Sequence, residues 1–216
     1  MAYTGRLLAV FFVFTLLMLI RTSVIFEFGH PPHIIPIPGI IALCFAWFLG
    51  KKYDKALFYS QRDSLTHLYN RRFISQKVPK IFRKMDRKGE KLGVFVVDVN
   101  HFKTINDTYG HETGDKILKH ISNVLLNNTK QRDIIARWGG DEFLIIVPHT
   151  DQQGMESIIH RVKEDVKNLS KVMKVKVSLS MGVSIYPDDG KELEGLIRIS
   201  DYNMYELKKH SASKHK

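Results

Sequence analysis

Cysteine is almost absent from this chain: Cys44 is the only one in 216 residues. A lone cysteine excludes an intramolecular disulfide framework and any cysteine-rich zinc module. Acidic residues are also scarce, with 22 Asp+Glu against 33 Lys+Arg and a formal net charge of +11. Internal repeats and low-complexity tracts are missing. A hydrophobic share of 44% with 25% charged residues excludes a disordered tail. The basic excess invites two partner classes, nucleic acid and a membrane surface. No basic patch is interleaved with stacking aromatics, so nucleic acid is not an expected partner.

Charge is scarcest in residues 1–50, where Arg6, Arg21 and Glu27 are the only ionised side chains. Residues 7–26 form an apolar run broken only by Arg21 and a few small polar residues. As a helix it would span a bilayer core of about 30 Å. Arg21 lies near one end, where it can snorkel to the interface. Gly29, His30, Pro31, Pro32 and His33 then make a helix-breaking turn. Residues 34–50 are a second apolar run, short for a span, with Pro36 and Pro38 in its first turns, where proline is tolerated. Lys51, Lys52 and Lys55 follow. A cleaved signal peptide is the competing reading, but no small-x-small cleavage site is present and a second apolar run follows at once. The expectation is a two-helix transmembrane hairpin in a cell membrane. The lysines place everything after residue 50 in the cytoplasm. Residues 51–62 read as a short helical linker, and Cys44 as packing within the second helix.

The remainder alternates periods. Helices are expected over residues 70–88, 111–127, 151–169 and 193–209, with Asn70 as an N-cap and Pro79 as a kink or break. Strands are expected over 92–99, 132–138 and 142–147, the last two joined at Gly139-Gly140. Residues 172–186 hold one long strand or a hairpin. This order predicts an α+β fold with a mixed or antiparallel central sheet flanked by helices.

Two acidic strand ends carry the chemistry. Asp98 follows Val94-Phe95-Val96-Val97 and stands at a strand exit. Asp141 and Glu142 follow Gly139 and Gly140 between two apolar strands. If those strands are neighbours, Asp98 and Asp141 converge, and carboxylates brought together repel unless a cation joins them. Hard oxygen ligands favour Mg²⁺ or Mn²⁺. The glycines remove side-chain bulk and permit positive φ, so a ligand can approach the backbone. A nucleoside triphosphate site is consistent with these features, and an ordinary hairpin with exposed turn acids is the plainer alternative.

The longer match favours the site. Arg137-Trp138-Gly139-Gly140-Asp141-Glu142-Phe143 resembles the signature of the GGDEF family of diguanylate cyclases. Asp63-Ser64-Leu65-Thr66 through Asn70-Arg71-Arg72, Asp98 through Asp107, Tyr109 through Asp115, Ser180 through Val183, and Asp201 through Lys208 resemble other family segments in order. The resemblance covers about residues 60–210. It implies a palm-like nucleotide cyclase fold over residues 63–210, followed by a basic tail, 211–216. It implies condensation of two GTP into cyclic di-GMP and two pyrophosphates across a homodimer, each 3′-hydroxyl attacking the other nucleotide's α-phosphate. Asp98, Asp141 and the Val99 carbonyl look like metal ligands, with Glu142 as a second acid and Gly139 and Gly140 in the catalytic turn. Asn106 and Asp115 look like guanine readers. The backbone of His101, Phe102 and Lys103 and the side chain of Lys208 look like phosphate holders. The side chains of Phe102 and Phe143 are expected in the core. His111-Glu112 lacks the second histidine of a zinc motif, because residue 115 is Asp. Asp63, Arg71 and Arg72 fit either the entry motif or simple helix-entry capping.

Three departures from the family pattern stand out. Residue 100 is Asn where Asp is common. The inhibitory Arg-x-x-Asp position reads Lys130-Gln131-Arg132-Asp133, and lysine lacks arginine's planar two-pronged contact. This degenerate inhibitory site predicts weak or absent product inhibition. Ser211-Ala212 replaces a Gly-Arg pair, which removes one expected phosphate contact. A rival reading is therefore a catalytically silent GGDEF domain that acts as a nucleotide receptor or scaffold at the membrane.

Overall fold

The computed structural model describes residues 3–30 and 37–213, with side chains described through Lys209. The chain divides into two compact units, residues 1–61 and 62–216.

The first unit is a pair of helices, α1 (Thr4–Phe28) and α2 (Ile37–Ser60). Helix α1 is 25 residues long and apolar enough to cross a membrane, and Gly29 ends it in the left-handed conformation at φ 75°. The apolar part of α2 stops at Gly50, and residues 51–60 continue the same helix with Lys51, Lys52, Asp54 and Lys55 on it. Among the described residues α1 is therefore the one helix that meets the length and composition of a span. The expected turn residues Pro31, Pro32 and His33, and Pro36, lie outside the described residues. Pro38 falls in the first turn of α2, as expected.

The helices meet through Asp54. Its carboxylate accepts a hydrogen bond from the Gly5 amide at 2.7 Å and a longer one from the Arg6 amide at 3.4 Å. These are orphan donors of a helix N-terminus, where a negative charge is favoured. The Arg6 Nε stands 3.3 Å from the same carboxylate, at ion-pair distance. A Cβ on Gly50 would lie 2.5 Å from the Arg6 Cα, so glycine sets how closely the backbones approach there.

The second unit is a five-stranded sheet with helices on both faces. Its elements are β1 (Tyr69–Asn70), α3 (Arg71–Lys88), β2 (Leu92–Val99), α4 (Phe102–Tyr109), α5 (His111–Asn127), β3 (Ile134–Arg137), β4 (Glu142–Pro148), α6 (Gln152–Met173), β5 (Leu179–Tyr186) and α7 (Leu193–Ser213). The strand order is β1-β3-β4-β2-β5. β2 lies between β4 and β5 and is antiparallel to both, β3 is antiparallel to β4, and β1 pairs parallel with β3. The sheet is thus mixed.

Alternation along β2 divides the core. Phe95, Val97 and Val99 pack on one face with Ile117, Leu118 and Ile121 of α5 and Ile158, Val162 and Val166 of α6. Val94 and Val96 pack on the other with Ile74, Val78 and Phe82 of α3 and Leu196 of α7. A strand buried on both faces reads as a continuous apolar run, as LGVFVVDV does.

The expected cap is present: the Asn70 side chain caps α3 by accepting from the Phe73 amide at 3.0 Å. Asp151, not named as a cap from the sequence, does the same for α6 by accepting from the Gly154 amide at 2.8 Å. Other local expectations do not hold. α3 runs through Pro79 without a break. Pro79 lies on the solvent face, so water can satisfy the carbonyl its missing N–H leaves free. Residues 172–178 are not strand: α6 continues to Met173, and the Ser170 hydroxyl ties the next segment back by donating to the Val175 carbonyl and accepting from the Val177 amide. The expected long strand is β5 alone. β1 and α4 had no place in the expected order.

Candidate functional site

The site forms where β2 and β4 end side by side. Asp98 pairs directly with Glu142 across the β2–β4 ladder. Beyond that pair the Val99 amide donates to the Asp141 carbonyl at 3.2 Å, which brings the end of β2 against the turn between β3 and β4. The Trp138 and Gly139 amides both donate to the Glu142 carbonyl, at 2.8 and 3.3 Å, and close that turn. Arg137 braces it from outside: its guanidinium donates to the Gly140 carbonyl at 2.7 and 3.0 Å and pairs with Asp63 at 3.2 Å. Asp63 also accepts from the amide and hydroxyl of Thr66. Asp63 therefore supports the turn through Arg137 as well as ordering its own loop.

The two glycines differ. A Cβ on Gly139 would stand 2.8 Å from the Glu142 Oε2, whereas one on Gly140 would meet open space. Neither uses the positive φ that glycine permits; among the described glycines Gly29, Gly89 and Gly110 do. Glycine at 139 leaves room for the Glu142 carboxylate in its present position, and a larger residue there would have to displace that flexible side chain.

The site is crowded with negative charge. Burial raises the Glu142 pKa above its ordinary value, and the charges of Asp201, Asp141 and Asp98 raise it further, against a smaller opposing effect from Arg71. Burial and then Asp98 push Asp201 up as well, with Lys208 opposing. Lys208 partly relieves this crowding, because its Nζ donates to the Asp98 Oδ1 at 2.6 Å. Asp201 lies seven residues, two helical turns, before Lys208 on α7. It was not singled out from the sequence, although that spacing puts both residues on one helix face.

Helix α7 is set against the sheet by close packing. A Cβ on Gly182 of β5 would fall 1.9 Å from the Ser200 carbonyl oxygen and 2.6 Å from the Met204 amide. The Asn203 side chain donates to the Val183 carbonyl at 2.8 Å, and the Ser200 hydroxyl donates to the Val94 carbonyl at 3.1 Å. This docking delivers Asp201 and Lys208 to the carboxylates.

The remaining expected residues lie on the β2–α4–α5 segment. His101 adopts a left-handed conformation at φ 57° and turns the chain from β2 into α4. Phe102 and Lys103 begin α4, whose first amides have no intrahelical acceptors. Such a helix start can receive a phosphate. Asn106 packs over Gly114, where a Cβ would stand 1.9 Å from its Oδ1. That oxygen is buried and has no hydrogen-bond partner among the described residues. Asp115 follows Gly114 directly and is exposed. Phe143 is fully buried and Phe102 packs partly buried against the same core, as expected. Asn100 fastens the end of β2 to β5: its amide group donates to the Ser178 hydroxyl at 3.1 Å and accepts from Ser180 at 2.7 Å.

Lys130 and Asp133 lie apart from this cluster, on the wall of a cavity of about 680 Å³ that also includes Arg62, Lys77, Lys84 and Arg132. Asp133 is turned back on its own loop, accepting from the Lys130 amide at 2.7 Å. Burial raises its pKa, opposed by that bond and by the charges of Arg132 and Lys130.

Among the described residues no three His, Cys, Asp or Glu side chains form a metal cage. The donor set still suits Mg²⁺, which is typically held by one or two carboxylates together with substrate phosphates and water. Asp98 already attracts a cation, in the form of Lys208.

Comparison with known proteins agrees with this geometry. The chain is 36% identical over 155 residues to the diguanylate cyclase DosC of Escherichia coli, covering 68% of this chain and 33% of that protein. It is 29% identical over 166 residues to the response regulator PleD of Caulobacter vibrioides, covering 74% of this chain and 37% of that one. It thus spans about a third of the length of these relatives. A form of TpbB (YfiN) from Pseudomonas aeruginosa comprising only the GGDEF domain superposes with a TM-score of 0.64 at 31% identity, over 69% of this chain and 89% of that one. The family model for the diguanylate cyclase GGDEF domain matches residues 60–214, and the chain belongs to the GGDEF-domain diguanylate cyclase family.

Proposed function

We propose that this chain is a membrane-anchored diguanylate cyclase that condenses two GTP into cyclic di-GMP and two pyrophosphates. The observation that carries the reading is the placement of Asp98 beside Glu142 and against the 138–141 turn, with Lys208 reaching into the same cluster. Glu142 and Asp201 are both held above their ordinary pKa values, by burial first and then by neighbouring carboxylates, and a cluster of acids held this way is typical of a site built for a cationic complex.

The nucleotide's parts map onto separate elements. Asn106 and Asp115 are the guanine readers. A carboxylate accepts from the guanine N1–H and N2–H, whereas adenine offers no such donor pair, so ATP would leave Asp115 unpaired. The amides at the start of α4, around His101, Phe102 and Lys103, and the Lys208 ammonium hold the phosphates. Asp98, Asp141 and the Val99 carbonyl would hold Mg²⁺ or Mn²⁺. When bound, that ion supplies Lewis-acid polarisation of the α-phosphate and charge neutralisation. Glu142, held at the same edge, adds negative field beside the reacting centre. The Gly139–Gly140 turn keeps the approach unobstructed. One subunit holds one GTP, so the 3′-hydroxyl must come from the nucleotide of a second copy, and a homodimer is the working unit.

The first unit serves as the anchor. Helix α1 has the length and composition of a span, and α2 completes a hairpin whose Lys51, Lys52 and Lys55 mark the cytoplasmic side. The Asp54 contacts with Gly5 and Arg6 support this arrangement, since they join the ends of both helices that the hairpin places on one side.

The test uses the full chain in detergent micelles with Mg²⁺. Pyrophosphate release is expected with GTP and about a hundredfold less with ATP, which leaves Asp115 and the buried Asn106 Oδ1, unpartnered among the described residues, without donors. Tight GTP binding by a demonstrably dimeric protein that releases no pyrophosphate would overturn the enzyme reading in favour of a silent receptor.

A further inference from the structure

Beside Asp98 lies a cavity of about 560 Å³ whose walls include Asn100, His101, Lys163, Ser180, Leu207 and Lys208. Among the described residues no carboxylate lines it. Most of its polar groups are already engaged. Lys208 is paired with Asp98, and Asn100 is bound to Ser178 and Ser180. Lys163 of α6 is different. Its helical neighbours three and four residues away are Ile159, His160, Val166 and Lys167, none of them an anion. The adjacent Val162 and Val166 are buried in the core at 0% and 2% exposure, which fixes the rotation of α6 and the side on which Lys163 emerges. An exposed ammonium with no acid three or four residues away on its helix thus stands at a cavity already flanked by a second lysine.

We propose that Lys163 is a second phosphate-binding cation of the nucleotide site, directed at the terminal phosphates of the bound triphosphate and at the pyrophosphate that departs. This rests on the GTP reading above. A triphosphate carries more negative charge than one divalent ion neutralises, and charge accumulates on the leaving pyrophosphate during transfer. Lys208 divides its charge between Asp98 and the phosphates, so the cavity needs another cation, and α6 supplies it from outside the segments that carry the family signature. Lysine suits the place, because a point charge on a flexible stem can follow phosphates that change position between substrate and product.

The experiment measures equilibrium binding of GTP and of GMP to the full chain and to its Lys163→Ala and Lys163→Arg variants, together with KM and kcat for GTP. Lys163→Ala is expected to weaken GTP binding about five- to tenfold, the range for a charge-assisted contact near solvent, and to raise KM similarly. GMP binding is expected to stay within twofold, since GMP lacks the terminal phosphates, and Lys163→Arg is expected to recover most of the loss. Unchanged GTP affinity in Lys163→Ala, or equal losses for GTP and GMP, overturns the proposal while leaving the cyclase reading in place. A wild-type chain that binds no GTP overturns both.

Discussion

The Asp63 carboxylate accepts from the Thr66 amide at 2.8 Å, from the Thr66 hydroxyl at 2.7 Å and from Arg137 at 3.2 and 3.3 Å. Burial alone would raise its pKa, but the Thr66 hydrogen bonds and Arg137 outweigh burial and hold it below its ordinary value of 3.8. A folded pKa below the unfolded one gives stability that is present above the unfolded value and lost as pH falls through the folded value. Asp63→Asn is therefore expected to cost about 1–3 kcal/mol at neutral pH. Urea denaturation should show that cost shrinking below about pH 4. A cost that does not vary with pH would mean that the charge on Asp63 is irrelevant. The residue patterns made Asp98, Asp141 and Glu142 readable, because acids following apolar strands are chemically conspicuous. The bond from Asp63 to Arg137 joins residues 74 positions apart, and Asp201 acts from the last helix, so neither partnership was visible locally.

At the scale of elements, α7 is docked by Gly182, and the site depends on that docking. Gly182→Ala would drive a methyl into the Ser200 carbonyl and the Met204 amide, backbone atoms that cannot swing aside. A cost of about 1–3 kcal/mol is expected, typical of overpacking. Loss of the Lys208 position should lower cyclase activity more than Tm. Thermal denaturation and turnover measured side by side check this, and unchanged values for both would contradict the docking account. Long periodic helices were legible: α5 occupies the expected 111–127, and Asn70 caps α3 as expected. The short elements were not. β1 has two residues, and α4 buries only Ile105, so neither generates a detectable period.

For the whole molecule, a charge count suggested nucleic acid or membrane, and the arrangement of a few acids redirected the basic excess toward a nucleotide. The altered inhibitory site gives a molecular prediction. With Lys130 in place of arginine and Asp133 tied to the Lys130 amide, added cyclic di-GMP should inhibit the full chain weakly or not at all. Strong submicromolar inhibition that Asp133→Ala abolishes would contradict this. Product identity decides whether the chain is a cyclase. The full chain is incubated with GTP and Mg²⁺, and its products are separated and identified by mass spectrometry. The expected products are cyclic di-GMP and about two pyrophosphates per product molecule, with both lost in Asp141→Asn. An intact dimeric protein that leaves GTP unchanged, or whose product formation survives Asp141→Asn, would contradict the cyclase reading.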